Sequence, residues 1–190
     1  QNTELSSLGF NSSYDNGVTK ADFNASYAQV AQNDNDIRAT GALVRRKLTN
    51  LGAKLEFGFS EKTSLAAGIS FAKTDYGPAS FTDSDIWSLP IDLYYKASEK
   101  MDWSLGYRFR NSDLSGAGTD STDHFFNVGA RGEFTPKLVG QVRVGLTQRS
   151  FDIGGDDTQL GFDGNLTYAF SEKTSYRFNM SNDFGSSGTG

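Results

Sequence analysis

The chain has no cysteine and a single histidine, His124, so neither a disulfide frame nor a thiolate metal site is open to it. Proline is scarce, three in 190 residues, which leaves long stretches able to donate every backbone N–H to a sheet. Long apolar runs are missing as well. No segment approaches the roughly 18 consecutive apolar residues of a spanning helix, and mean hydropathy is −0.50. That excludes a transmembrane helix within these residues. It leaves strands untouched, because a barrel strand needs only about ten residues and half of them face water. Neither a Walker-type loop nor a Gly-x-Gly-x-x-Gly turn between strand and helix occurs, so the sequence supports no nucleotide chemistry and no cofactor. A formal net charge of −5 argues against nucleic acid as a partner. No signal peptide is visible at Gln1, as in a processed chain or an internal piece.

What the chain does have is glycine (21), aromatics (15 Phe, 8 Tyr, 2 Trp) and alternation. Residues 85–110 show it most clearly. Trp87, Leu89, Ile91, Leu93, Tyr95 and Ala97 share one side of a period-2 pattern, and Ser88, Pro90, Asp92, Tyr94 and Lys96 share the other. After Ser98-Glu99-Lys100 it resumes, with Trp103, Leu105, Tyr107 and Phe109 against Ser104, Gly106, Arg108 and Arg110. Successive side chains of a strand point to opposite faces, so this is a hairpin with one apolar and one charged face.

The same unit recurs. A first hairpin turns at Asp15-Asn16-Gly17, a strong two-residue turn signal. Short turns then begin at 60, 98, 135 and 171, a repeat of 38, 37 and 36 residues. Three of them read Ser-Glu-Lys, and Thr135-Pro136-Lys137 plays the same part. Long polar loops are expected at 74–85, 111–122 and 152–157, all on the opposite side from the short turns. The stretch 37–59 has two readings: a strand over about 48–59 with the part before it a loop or strand extension above the membrane, or two strands with a turn at Thr49-Asn50, which would reverse every later strand. The first gives ten strands. Short turns on one side and long loops on the other are the habit of outer-membrane barrels. The expected fold is therefore all-β: a transmembrane antiparallel up-and-down β-barrel forming one domain over 1–190. The chain ends in Gly185-Ser186-Ser187-Gly188-Thr189-Gly190 rather than on a terminal Phe strand, which leaves a ten-stranded barrel with an unusual tail or, as the favoured expectation, the front part of a larger barrel.

The segments Asp83-Ser84-Asp85-Ile86-Trp87-Ser88-Leu89-Pro90-Ile91-Asp92-Leu93-Tyr94-Tyr95, Leu105-Gly106-Tyr107-Arg108-Phe109-Arg110, 142–152 and Ser171-Glu172-Lys173-Thr174 carry a family resemblance. With them the chain resembles, from about residue 40 to 184, the outer-membrane β-barrel porin family that includes the barrels of exopolysaccharide operons. The resemblance implies an integral protein of a Gram-negative outer membrane, with lipid as its surroundings. It also implies members longer than this chain and a role in passing hydrophilic solutes or exported polysaccharide. The shared motifs are degenerate barrel features, so no ligand residues carry over.

The expected lumen-lining set is Lys54, Glu56, Asp92, Lys96, Arg108, Arg110, Arg131, Glu133, Arg143, Arg149, Asp163 and Arg177. Charges at every second residue exclude a dry core on that face, since an unpaired buried charge costs several kcal/mol. They line a water channel, or pair across strands and fill a narrow one. Trp87, Tyr95, Trp103, Tyr107, Tyr168 and Tyr176 are expected near strand ends as interface aromatics. One histidine with no nucleophile spacing makes no catalytic site, so no enzyme activity is expected. Asp83, Asp85, Asp156 and Asp157 lack a complete calcium-loop spacing and read as solubilising. The expected function is an outer-membrane pore passing hydrophilic solutes or surface polysaccharide, completed by further strands or by oligomerisation. The competing reading is a soluble, secreted all-β carbohydrate-binding or adhesin module.

Overall fold

A computed structural model of the chain describes residues 6–32, 44–77, 81–115 and 119–182. Among them are ten strands and no helix: β1 (Ser7–Asp15), β2 (Thr19–Gln32), β3 (Val44–Gly58), β4 (Thr63–Tyr76), β5 (Ser84–Lys96), β6 (Met101–Leu114), β7 (Ser121–Thr135), β8 (Leu138–Phe151), β9 (Asp156–Ser171) and β10 (Thr174–Asn182). They form one sheet in sequence order, each strand antiparallel to the next. The sheet is not closed among the described residues: β1 and β10 each have one hydrogen-bonded neighbour.

The turns explain the up-and-down order. Gly17 sits at φ +85°, where an L side chain is strained. Asn16 Oδ1 accepts the N–H of Val18 at 3.1 Å and of Thr19 at 2.7 Å, so a side chain does the work of a backbone turn. The repeated Ser-Glu-Lys turns share one device. Ser60, Ser98 and Ser171 each accept the N–H two residues on through Oγ, at 3.3, 3.3 and 3.4 Å. All these turns lie at one end of the sheet, the turn end. The longer links lie at the other, the loop end.

Several expected boundaries move. Strand β3 begins at Val44, so the residues just before 48 are strand extension rather than loop, and Thr49 and Asn50 lie inside it, paired with Lys73 and Ala72. The two-strand reading of this stretch is therefore wrong. Arg45 and Lys47 broke the apolar pattern but not the strand, because a strand projecting beyond an apolar zone needs no apolar residues. For the same reason β4 runs to Tyr76, β6 runs to Leu114 and β7 starts at Ser121, inside the loops expected at 74–85 and 111–122. The Gly-Ser tail at 185–190 lies outside the described residues.

The sheet has two unlike faces. On one, the register aligns Ala67–Ile91–Tyr107–Phe126–Leu146–Leu160 and Leu65–Leu93–Leu105–Val128–Val144–Phe162 across β4 to β9. This face stays exposed: Leu105, Phe126, Val128 and Leu146 all keep more than half their surface. Its outward charges, such as Lys47, Lys73, Asp75, Asp85 and Asp113, sit only toward the loop end. The other face is concave. Arg131 on β7 meets Glu56 on β3 at 2.6 Å, although strands four places apart in a flat sheet are about 19 Å apart, with side chains standing parallel. Only a tight curl lets them meet.

Candidate functional site

The concave face carries three tiers of charge. Toward the loop end, Asp123 lies between two arginines. Arg149 donates to it from Nε at 2.5 Å and from Nη2 at 2.8 Å, and Arg110 donates from Nε at 2.6 Å. The register sets this trio, since Asp123 on β7 faces Arg110 on β6 and Arg149 on β8.

In the middle tier Arg143 bridges two carboxylates, Asp92 at 2.9 Å and Asp163 at 3.3 Å. Arg108 reaches the same Asp163 at 3.3 Å and lies over the Phe125 ring, 4.9 Å from its centre. Asp92 is on β5 and Arg143 on β8, so this contact also crosses the interior.

Nearest the turn end, Arg131 holds Glu56 with both terminal nitrogens, at 2.7 and 2.6 Å, and Asp102 with Nε at 2.9 Å. Ser64 donates to the same Glu56 carboxylate at 2.7 Å. The Arg131 guanidinium lies 3.4 Å above the Tyr94 ring, and Tyr94 keeps only 1 % of its surface. The Tyr94 hydroxyl in turn donates to Asp92 at 3.3 Å, tying this tier to the middle one.

Among the described residues, every charged residue buried on this face is paired: Glu56, Asp92, Asp123 and Arg149. Unpaired, each would cost several kcal/mol; paired and hydrogen-bonded, they form a rigid polar interior. The Tyr94–Arg131–Glu56 layer divides that interior. On its turn side is a vestibule of about 290 Å³ reaching Glu56, Tyr94 and Arg131. On its loop side is a chamber of about 370 Å³ whose lining includes Lys54, Asp92, Asn127, Arg143 and Asp163.

Of the twelve charged residues expected together, Glu56, Asp92, Arg108, Arg110, Arg131, Arg143, Arg149 and Asp163 belong to these tiers. Lys54 lines the chamber, Lys96 lines the vestibule, and Glu133 pairs with Lys100 at the turn-end rim at 2.8 Å. Arg177, paired in register with Thr167, is exposed on β10, away from the tiers. Sequence reasoning missed Asp102, Asp123 and Tyr94. The two aspartates have the parity of Arg108 and Arg131, which was signal enough. Tyr94 was placed on the charged side but given no role.

The aromatics mostly lie where expected. Tyr95 faces Trp103, and Tyr168 faces Tyr176, close to the turn end, while Trp87 faces Phe71 toward the loop end. Tyr107 is the exception. It lies mid-strand opposite Ile91, because β6 extends past Arg110 to Leu114. Its hydroxyl is 2.8 Å from Nδ1 of His124, which faces outward beside Phe109 and away from the charged tiers. The loop aspartates are engaged locally: Asp83 accepts the N–H of Tyr76 at 2.7 Å, and Asp85 pairs with Lys73 at 3.1 Å. Neither a family model nor a curated protein matches this chain.

Proposed function

We propose that this chain forms the wall of a β-barrel in a Gram-negative-type outer membrane and that its concave face is a path for small hydrophilic solutes, with no enzymatic step. One observation carries the reading: an uncharged apolar belt runs across the outward face of all ten strands while the opposite face holds paired charges. From Trp87 to Tyr95 the belt on β5 runs about 27 Å along the strand. At a tilt near 40° that is roughly 21 Å of membrane, close to the apolar band of such barrels. A soluble module would need a second layer to cover this surface, and exposed apolar patches of such extent mark membrane or partner contact. Tyr95, Trp103, Tyr168 and Tyr176 at one end and Trp87 toward the other suit the two interfaces, where amphipathic rings are favoured.

In hydrocarbon every backbone group must be paired, so the open edges of β1 and β10 imply a closed ring in the membrane. The Tyr94–Arg131–Glu56 layer is then the constriction, and it favours small solutes over a polysaccharide chain.

Electrophoretic migration of the detergent-folded chain with and without boiling, followed by planar-bilayer conductance, tests the proposal. Faster migration before boiling, with steady conductance steps, is the expected result. Folding and solubility without detergent would sink the membrane reading in favour of the secreted module. A heat-modifiable barrel with no conductance would keep the barrel and remove the path.

A further inference from the structure

The apolar belt has a stepped edge toward the loop end. In the outward row Leu51–Phe71–Trp87–Asn111–Thr122–Ser150 the change from apolar to polar falls between β5 and β6. One pleat nearer the turn end, in the row Leu89–Phe109–His124–Gln148–Thr158, it falls between β6 and β7. The turn-end aromatics step the same way, from the Tyr95–Trp103 pair to the Tyr168–Tyr176 pair two pleats closer to the turns. Rows run perpendicular to the strands, so a level membrane border crosses the rows of tilted strands diagonally.

At the loop-end step lies an outward sector whose hydrogen-bonding side chains are Asn111, Thr122, His124, Gln148, Ser150 and Thr158. Gln148 and Thr158 are exposed and make no side-chain hydrogen bond within the described residues. His124 meets the Tyr107 hydroxyl through Nδ1, which leaves Nε2 for another partner. Two carboxylates border the sector: Asp113, which accepts from Asn111 Nδ2 at 2.7 Å, and Asp156, opposite Ser150. Among the described residues no cation of β6 to β9 shares this face at the loop end. Arg108, Arg110, Arg143 and Arg149 all engage the concave tiers, and the lysines of the border, Lys47 and Lys73, stand on β3 and β4.

We propose that this sector docks a lipid of the loop-side leaflet whose headgroup is an uncharged sugar. The inference rests on the belt meeting a bilayer, and it names the lipid that this part of the wall holds. Amide, hydroxyl and imidazole groups between them donate and accept, as sugar hydroxyls do in return. A phosphate headgroup would bring negative charge to a place with two carboxylates and no cation, where like charges repel. Directly below the sector the belt continues through Tyr107, Phe126 and Leu146, so the acyl chains of the same lipid meet apolar wall.

Fluorescence quenching by brominated lipids tests this on the full chain in phosphatidylcholine vesicles. Trp87→Phe and Trp103→Phe clear the background, and Leu146→Trp, two residues from Gln148 on the same face, is the reporter. The brominated lipid is in turn monoglucosyl diacylglycerol, phosphatidylglycerol and phosphatidylcholine. The glycolipid is expected to gather at the reporter about tenfold over phosphatidylcholine, the worth of one or two hydrogen bonds, and phosphatidylglycerol is expected not to gather. Gln148→Leu with Thr158→Val should abolish the enrichment, and Gln148→Lys should move it to phosphatidylglycerol. With Leu51→Trp as reporter instead, on the lysine side of the border, the glycolipid should show no enrichment. Each variant is first shown to migrate faster before boiling, so that a lost fold is not read as a lost site. Glycolipid no more enriched than phosphatidylcholine, equal enrichment at both reporters, or enrichment untouched by Gln148→Leu with Thr158→Val overturns the site while leaving the barrel standing. A parent chain whose migration does not change on boiling overturns the barrel reading, and this inference with it.

Discussion

Arg131 on β7 and Glu56 on β3 hold each other through two hydrogen bonds, at 2.7 and 2.6 Å, across the interior of the sheet. Neighbouring-strand pairs would form in any antiparallel sheet of this sequence, but this one exists only because the sheet curls. Removing the arginine leaves a nearly buried carboxylate without its main counter-charge. Arg131→Ala should therefore lower stability by about 3 kcal/mol in urea unfolding. On the proposed solute path it should also raise single-channel conductance, because the side chain that fills the Tyr94–Arg131–Glu56 layer is gone. The double exchange Glu56→Arg with Arg131→Glu should restore part of both. A stability loss with unchanged conductance would make the pair purely structural.

Asp123 accepts from two guanidiniums at once, so one substitution takes a carboxylate from both. Asp123→Asn leaves Arg110 and Arg149 facing one another, with Arg149 only 7 % exposed. The expected loss is about 3 kcal/mol. Arg149→Met added to Asp123→Asn should cost less than the sum of the two single changes, because the charge that Asp123 served has gone with it. Additive losses in a double-mutant cycle would show that the trio is not coupled.

The strand content was legible because alternation survives any tertiary detail: a residue's face follows from its parity once the strand is recognised. The twelve charged residues were found that way. Strand ends were not legible, because Arg45, Lys47 and Asp113 obey solvent rather than the apolar belt once the strand passes its edge. The partners of the charges were harder still. Neighbours such as Arg110 and Asp123 follow from hairpin register, but Glu56 with Arg131 and Asp92 with Arg143 depend on curvature, which no short stretch of sequence encodes. The curl comes from the whole sheet, with Gly106 leaving space where Asp92 and Asn127 converge.

Val128 lies at the middle of β7, flanked by Leu105 and Val144 on the apolar face. In a bilayer, Val128→Arg should cost about 2–4 kcal/mol, and Thr122→Arg, on the same face but near the loop end, about 0–1 kcal/mol. Both positions face outward, so a soluble protein would tolerate both alike. Urea unfolding from lipid vesicles measures the difference. Equal, small costs at the two positions would mean that the belt does not meet hydrocarbon.

The two edge strands offer the last test. β1 and β10 have nine residues each, run antiparallel to one another and are exposed on both faces. Their outward residues, Leu8 and Phe10 on one and Phe178 and Met180 on the other, continue the apolar belt. Contacts that cross the interior between strands three and four places apart mean a tight curl, and a tight curl brings the edges toward each other. Because the chain has no cysteine, engineered pairs report without background. Phe10→Cys combined in turn with Tyr176→Cys, Phe178→Cys and Met180→Cys scans the register in steps that keep both side chains on one face. A disulfide needs Cα atoms about 4.4–6.8 Å apart, so one pairing should oxidise far faster than its neighbours. In the folded, membrane-inserted chain the expected product is an intrachain crosslink, seen as altered migration of the monomer under non-reducing conditions. A crosslinked dimer would mean that a second copy closes the ring. No crosslink at any of the three positions, in a chain that still migrates faster before boiling, would mean that other strands lie between β1 and β10.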